Sequence, residues 1–147
     1  MAFTLQKFLR VINEAVIISD GAGVITCWNP AAERLFGFTE HEAVGDSLNI
    51  IIPEKYRQRH GSGYAAAIRS GTTKYGMTLL YTPALKRDGS IISVAFSVAL
   101  IPGNASTAPS VVAIVRDETS RFNKERQLRK QLTEMEARLM ASQSCVP

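Results

Sequence analysis

Cysteine is scarce in this chain: Cys27 and Cys145 are the only two in 147 residues. Neither belongs to a Cys-x-x-Cys pair, which excludes zinc-ribbon and dithiol redox chemistry of that type. Cys27 falls in a predicted strand and Cys145 near the C-terminus, positions that do not suggest a bridge, so Cys27 is read as an inert core thiol. Histidine is equally sparse, and two of them, His41 and His60, cannot build a three-histidine metal centre. A phosphate-cradling glycine loop, a Gly-x-Ser-x-Gly elbow and a His-Glu-x-x-His helix are all missing. Paired carboxylates such as Glu40 and Glu42 fall on an exposed helix, where they read as solvated surface. The chain is therefore not expected to be an enzyme. No apolar run reaches the ~20 residues that span a bilayer, and the N-terminus lacks the apolar segment of a secretory signal. The expectation is a cytoplasmic protein with no membrane contact.

The net charge is +4, but its distribution argues against nucleic acid: Ser120 onward carries +3 and the remainder +1. The excess lies on one predicted helix and reads as a solvated face. The rest of the composition fits one small folded domain, with 46% hydrophobic and 20% charged residues.

What is present is sharply punctuated. Leu5, Phe8, Leu9 and Ile12 recur at helical spacing and predict a short amphipathic helix. Ala15 to Ser19 reads as a strand, Asp20-Gly21-Ala22-Gly23 as a tight turn and Val24 to Trp28 as the returning strand. Asn29 is a good N-cap, Pro30 suits the first helical position, and Gly37 is a natural stop for a helix carrying Ala31, Ala32, Leu35 and Phe36. Thr39 and Glu42 form a capping box for a helix from Glu40 to Val44, ended by Gly45. Leu48 to Ile52 is an apolar connector. Pro53 opens a longer helix to about Arg69, closed by Gly71. Lys74 to Leu85 and Ser90 to Ile101 then read as strands around an Asp88-Gly89 turn, and Ser110 to Arg116 as a last strand. Two strands, several helices and three strands predict an α+β fold: a five-stranded antiparallel sheet with its helices on one face.

The Trp28-Asn29-Pro30 unit, the Lys86-Arg87-Asp88-Gly89-Ser90 hairpin and the exit Val115-Arg116-Asp117-Glu118-Thr119 resemble PAS domains, the small sensor modules of many signalling proteins. The resemblance covers roughly Leu9 to Ser120. It implies a cap helix over 1–13, a PAS domain over 14–119 and a C-terminal signalling or dimerisation helix and tail over 120–147. Asp117 and Thr119 would close the last strand and launch the output helix.

The segment Pro53 to Tyr64 resembles the corresponding helix of haem-binding PAS sensors, whose Pro-Glu-x-x-Arg-x-x-His pattern supplies a proximal iron ligand. The resemblance implies His60 as that ligand, with Gly61 and Gly63 leaving room for a flat macrocycle and Tyr64 among the tyrosines that could line a cavity. It also implies Met77, seventeen residues on, as a distal thioether. Oxygen-sensing members place an arginine where this chain has Leu79, so CO, NO or redox state is the signal expected of a haem form. Flavin–thiol adduct chemistry is not expected, because Ile51 to Arg57 contains no cysteine.

From Ser120 a helix is predicted to about Ala141, on which Leu128, Leu132, Met135 and Leu139 are spaced four, three and four apart, a short heptad seam. The resemblance implies a parallel homodimer helix. The functional expectation is a sensory domain in signal transduction, of two-component type among others, that binds a small ligand or cofactor and relays occupancy through this helix. A haem-based gas or redox sensor and a ligand-free dimerisation module are the alternatives. The effector would be a kinase, cyclase or transcription regulator, in the same chain or in trans.

Overall fold

The computed structural model describes residues 2–73 and 78–144. The chain divides into two compact units, one ending at Asp117 and the other beginning at Glu118.

The first unit runs α1 (Leu5–Val11), β1 (Ala15–Asp20), β2 (Ile25–Trp28), α2 (Pro30–Phe36) and α3 (Glu40–Ala43). A 3-10 turn (Leu48–Ile51), α4 (Glu54–Ser70), β3 (Leu80–Leu85), β4 (Ile91–Ile101) and β5 (Ser110–Asp117) complete it. The five strands form one antiparallel sheet in the order β2-β1-β5-β4-β3. The chain's last strand thus lies at the centre, between the first hairpin and the second.

The local signals act as their chemistry requires. Asn29 caps α2, Pro30 occupies its first turn, and Gly37 ends it at φ +86°, a conformation that a Cβ would strain. Thr39 and Glu42 satisfy each other's backbone N–H groups in the capping box of α3. The β3–β4 turn closes with Lys86 N–H donating to Ser90 O at 2.9 Å and with Gly89 at φ +86°.

Three of the boundaries that differ from the sequence expectation have an evident reason. The start of β2 moves to Ile25, because the β1–β2 register shifts between Ile18 and Ser19 and Val24 bridges to Ser47 instead. Ladder pairing of β3 begins at Leu80, with Thr78 and Leu79 preceding it, while the expected start at Lys74 falls outside the described residues. The final helix runs to Ser144 rather than Ala141, since no Gly or Pro interrupts it there.

The core sits where β1, β2 and the inner pleat of β3–β5 meet α2 and α3. Trp28, Phe36, Ile17, Ile25, Ala32, Ala43, Val94 and Val115 are all buried there. Trp28 packs 5.5 Å from Phe36 and 6.4 Å from Phe38 between ring centroids, and its indole N–H donates to Phe38 O at 2.9 Å. Burying each of these large side chains contributes about 2–3 kcal/mol.

The second unit contains α5 (Thr119–Ser144), a single helix. Every residue from Ser120 to Ser144 is exposed. No helix among the described residues is long and apolar enough to cross a membrane.

Candidate functional site

The candidate site is built from α4 and the inner face of the sheet. Alternation along the strands puts Ile92, Val94, Phe96, Val98 and Leu100 of β4 on one face. Register adds Val115, Ala113 and Val111 of β5 opposite Phe96, Val98 and Leu100, and Ala15, Ile17 and Ser19 of β1 beyond them. This face has two halves. Toward α2 and α3 it is closed by Trp28 and Phe36, and Ala15, Ile17, Val94 and Val115 are buried. Toward the other end, Phe96, Val98, Leu100, Val111 and Ala113 remain half-buried.

α4 meets this half at the end that carries Ser19. Its N-cap is Pro53, with no side-chain capping bond, and Gly71 closes it at φ +72°. Spacing puts Arg57, His60, Tyr64 and Ile68 on one stripe. The stripe is pinned at both ends. Arg57 Nε donates to Ile52 O at 3.0 Å. The Tyr64 hydroxyl lies 2.8 Å from Ser19 Oγ and donates to Asp20 O, which fixes α4 over the end of the inner face that carries Ser19. Ile68 reaches the β1–β2 turn, where a Cβ on Gly21 would stand 3.7 Å from its Cγ2. Between these anchors the helix has no buried residue at all.

His60 lies one turn before Tyr64, its ring 5.8 Å from the phenol ring. The residue is exposed by surface area, yet partial desolvation pushes the imidazole below its ordinary 6.5. That shift favours the neutral form, whose free nitrogen lone pair is the one that binds a metal. A Cβ built on Gly61 or Gly63 would meet nothing within 4 Å, so the helix flank beside His60 is open. Burial pushes the Tyr64 phenol up from 10.0, against the opposing bond to Ser19 and with the Asp20 charge adding to the rise.

The structure brings His60 and Tyr64 together. It does not group Leu79 with them: Leu79 is 43% exposed, and its neighbour Leu80, paired with Phe96, is the one on the inner pleat. Met77 lies outside the described residues. Asp117 ends β5 opposite Val94, and Thr119 begins α5. Leu128, Leu132, Met135 and Leu139 are each more than half exposed. No cluster of three potential metal-binding His, Cys, Asp or Glu residues occurs among the described residues.

Two features escape a reading of the sequence. Ser19 was legible only as a strand residue, although its buried hydroxyl donates to the Tyr64 oxygen and holds it. Glu14 and Arg116 form an ion pair at 3.0 Å that joins the segment before β1 to the exit of β5.

A five-stranded antiparallel sheet in this order, with its helices and a trailing helix, is the architecture of a small sensory domain. The profile described as the PAS fold matches residues 4–118, and the chain belongs to the PAS family. Among relatives, it is 35% identical over 117 residues to the sensor protein FixL of Bradyrhizobium diazoefficiens, covering 78% of this chain and 22% of that protein. It is also 27% identical over 115 residues to the oxygen sensor protein DosP of Escherichia coli, covering 78% of this chain and 14% of that one. The chain thus spans less than a quarter of the length of either relative. Among solved structures, the PAS domain of a protein from Colwellia psychrerythraea superposes with a TM-score of 0.67 at 23% identity, over 78% of this chain and 94% of that one.

Proposed function

We propose that this chain is a sensory domain that takes a small ligand or cofactor between α4 and the inner face of the sheet. Occupancy would pass along β5 to Asp117 and Thr119, and from there to α5 and an effector of kinase, cyclase or regulator type in the cytoplasm. The observation that carries this reading is the contrast between the two halves of the inner face. One half is sealed by Trp28 and Phe36, while the other keeps an apolar strip half-buried, and α4, which has no buried residue, is tied to its Ser19 end. A partly open apolar wall beside a lightly held helix is where a guest could be taken. For signalling, the domain needs two states that the guest favours unequally.

Haem is the guest that the resemblance of the Pro53–Tyr64 segment favours. His60 lies on the stripe of α4 that carries Tyr64, is held toward the neutral form, and has open space beside Gly61 and Gly63. When bound, haem would supply an iron that takes up gas or changes redox state. His60 and Met77 would hold it, and Phe96, Val98 and Leu100 would exclude water from its face. The resemblance to haem-binding PAS sensors supports this assignment. Leu79 in the place of an arginine favours CO, NO or redox state over stable oxygen binding.

The test is an absorption spectrum of the protein purified from haem-supplemented cells. A Soret band is expected. His60→Ala abolishes it, while Met77→Ala alters only the six-coordinate form. Absence of the band, with no spectral shift on titrating hemin, overturns the haem assignment. Native mass spectrometry showing no guest of any kind would leave a ligand-free interaction module instead.

A further inference from the structure

We infer that the crevice at the exit of β5, beside Arg34 of α2, is a second ligand site that takes a small monocarboxylate with an apolar body. The inference does not rest on the guest proposed for the α4 side of the sheet.

The crevice has a volume of about 390 Å³ and is built from residues of the first unit alone. Three parts of the chain meet there: the segment leading into β1, α2 and the end of β5. Its floor is apolar. Ala15 and Val115 are cross-strand partners on the inner pleat, and Ala31 lies on α2; they are 2%, 5% and 5% exposed. Half-buried Leu35 extends this surface along α2. Two alanines in the floor leave room that larger side chains would fill.

Charge decides the ligand. Glu14 and Arg116 line the crevice and neutralise each other at 3.0 Å. Asp117 is already engaged in a polar interaction of its own. Arg34 differs from all three. Among the described residues its guanidinium has no hydrogen bond or ion pair, and the residue is exposed. Its planar fork of donors is therefore free to grip a carboxylate edge. The carboxylates of Glu14 and Asp117 in the same crevice disfavour a second negative charge, so a monoanion suits the site better than a phosphate dianion. Arg34 lies one helical turn beyond Ala31 and adjoins Leu35, so a carboxylate held there brings its apolar part onto the floor. An occupant would rest against Val115 and Asp117, the last stretch of β5 before the chain leaves the unit. Because Arg34 is exposed, the ion pair adds modestly and the affinity is expected to be millimolar.

The test is a titration of the isotope-labelled full chain with phenylacetate at low salt, followed in amide spectra. Saturable shifts are expected at Ala31, Leu35 and Val115. Arg34→Gln is expected to weaken binding about fivefold and Arg34→Lys by less than about twofold. The neutral analogue phenylethanol should bind the unsubstituted protein as weakly as phenylacetate binds Arg34→Gln. Acetate and inorganic phosphate, which lack the apolar body, should not saturate. Shifts that fail to saturate, or that fall on α4 and β4 instead, overturn the inference, as does an affinity indifferent to Arg34→Gln. Phosphate binding as tightly as phenylacetate overturns it too, because the site then reads charge alone. None of these outcomes alters the haem spectrum, and a missing Soret band leaves the crevice as it is.

Discussion

Asn29 holds more of this fold than a helix cap does. Its Oδ1 accepts from Val16 N–H at 2.9 Å and Ala32 N–H at 3.0 Å, while Nδ2 donates to Leu9 O at 3.1 Å and Glu14 O at 2.9 Å. One 3%-exposed amide thus joins α1, the segment before β1, β1 itself and α2. Asn29→Ala strands two buried donors and two acceptors and is expected to cost about 3 kcal/mol. Asn29→Asp keeps the accepting oxygen and should fall between the two, with urea melts as the measurement. Cys27 gives a second expectation at this scale. Burial raises its thiol above 9.0, and the Glu40 carboxylate raises it further. In a Cys145→Ser protein, Cys27 should react with a thiol reagent at pH 8 several-fold more slowly than a free cysteine, because less of it is thiolate. Glu40→Gln should recover part of that rate. The raised value also fixes the stability sign. Folding favours the protonated thiol, so this contribution is intact below the unfolded value and is lost as pH rises through the folded one.

Within the first unit, α4 is the longest element and yet has no buried residue. The Tyr64 hydroxyl is its main polar tie to the sheet, so Tyr64→Phe is expected to cost only about 1 kcal/mol of global stability. Its larger effect should be local: amide exchange across 54–70 accelerates while that of β1 and β5 stays slow. The phenol pKa is raised, so its contribution is present below the ordinary 10.0 and is lost as pH climbs through the folded value. The alkaline fall in melting temperature should accordingly be shallower in Tyr64→Phe. Legibility in the sequence follows the same division. The Asn29-Pro30…Gly37 helix, the Thr39…Glu42 capping box and the Asp88-Gly89 turn are written in residues a few positions apart, and each forms as expected. The start of β2 was misplaced, because Ile25 N–H bonds to Asp46 O, an interaction no local pattern announces. The Ser19–Tyr64 bond spans 45 positions, and the reach of Asn29 to Leu9 spans 20. His60 was legible as a donor on a helix. That the face beneath that helix is half sealed by Trp28 and half loose depends on packing between distant elements, which no spacing encodes.

At the scale of the whole molecule, buried side chains are concentrated in the unit ending at Asp117, whereas none lies between Ser120 and Ser144. A helix of 26 residues with its apolar positions in water contributes little to the folding free energy of an isolated chain. Truncation after Asp117 should therefore leave the urea midpoint of a dilute sample almost unchanged, with a smaller loss of helical circular dichroism on melting. The same truncation should have a large effect where the full chain self-associates. The intact protein gains stability with concentration, because a partner that binds only the folded form stabilises it by mass action, and the truncated one should not. A melting temperature measured across a hundredfold range of concentration separates the two. A rise in the full chain that disappears after truncation places the coupling in α5. An equal rise in both would move the contact to the sheet, whose exposed Tyr81, Ile91 and Ile114 are then the residues to substitute.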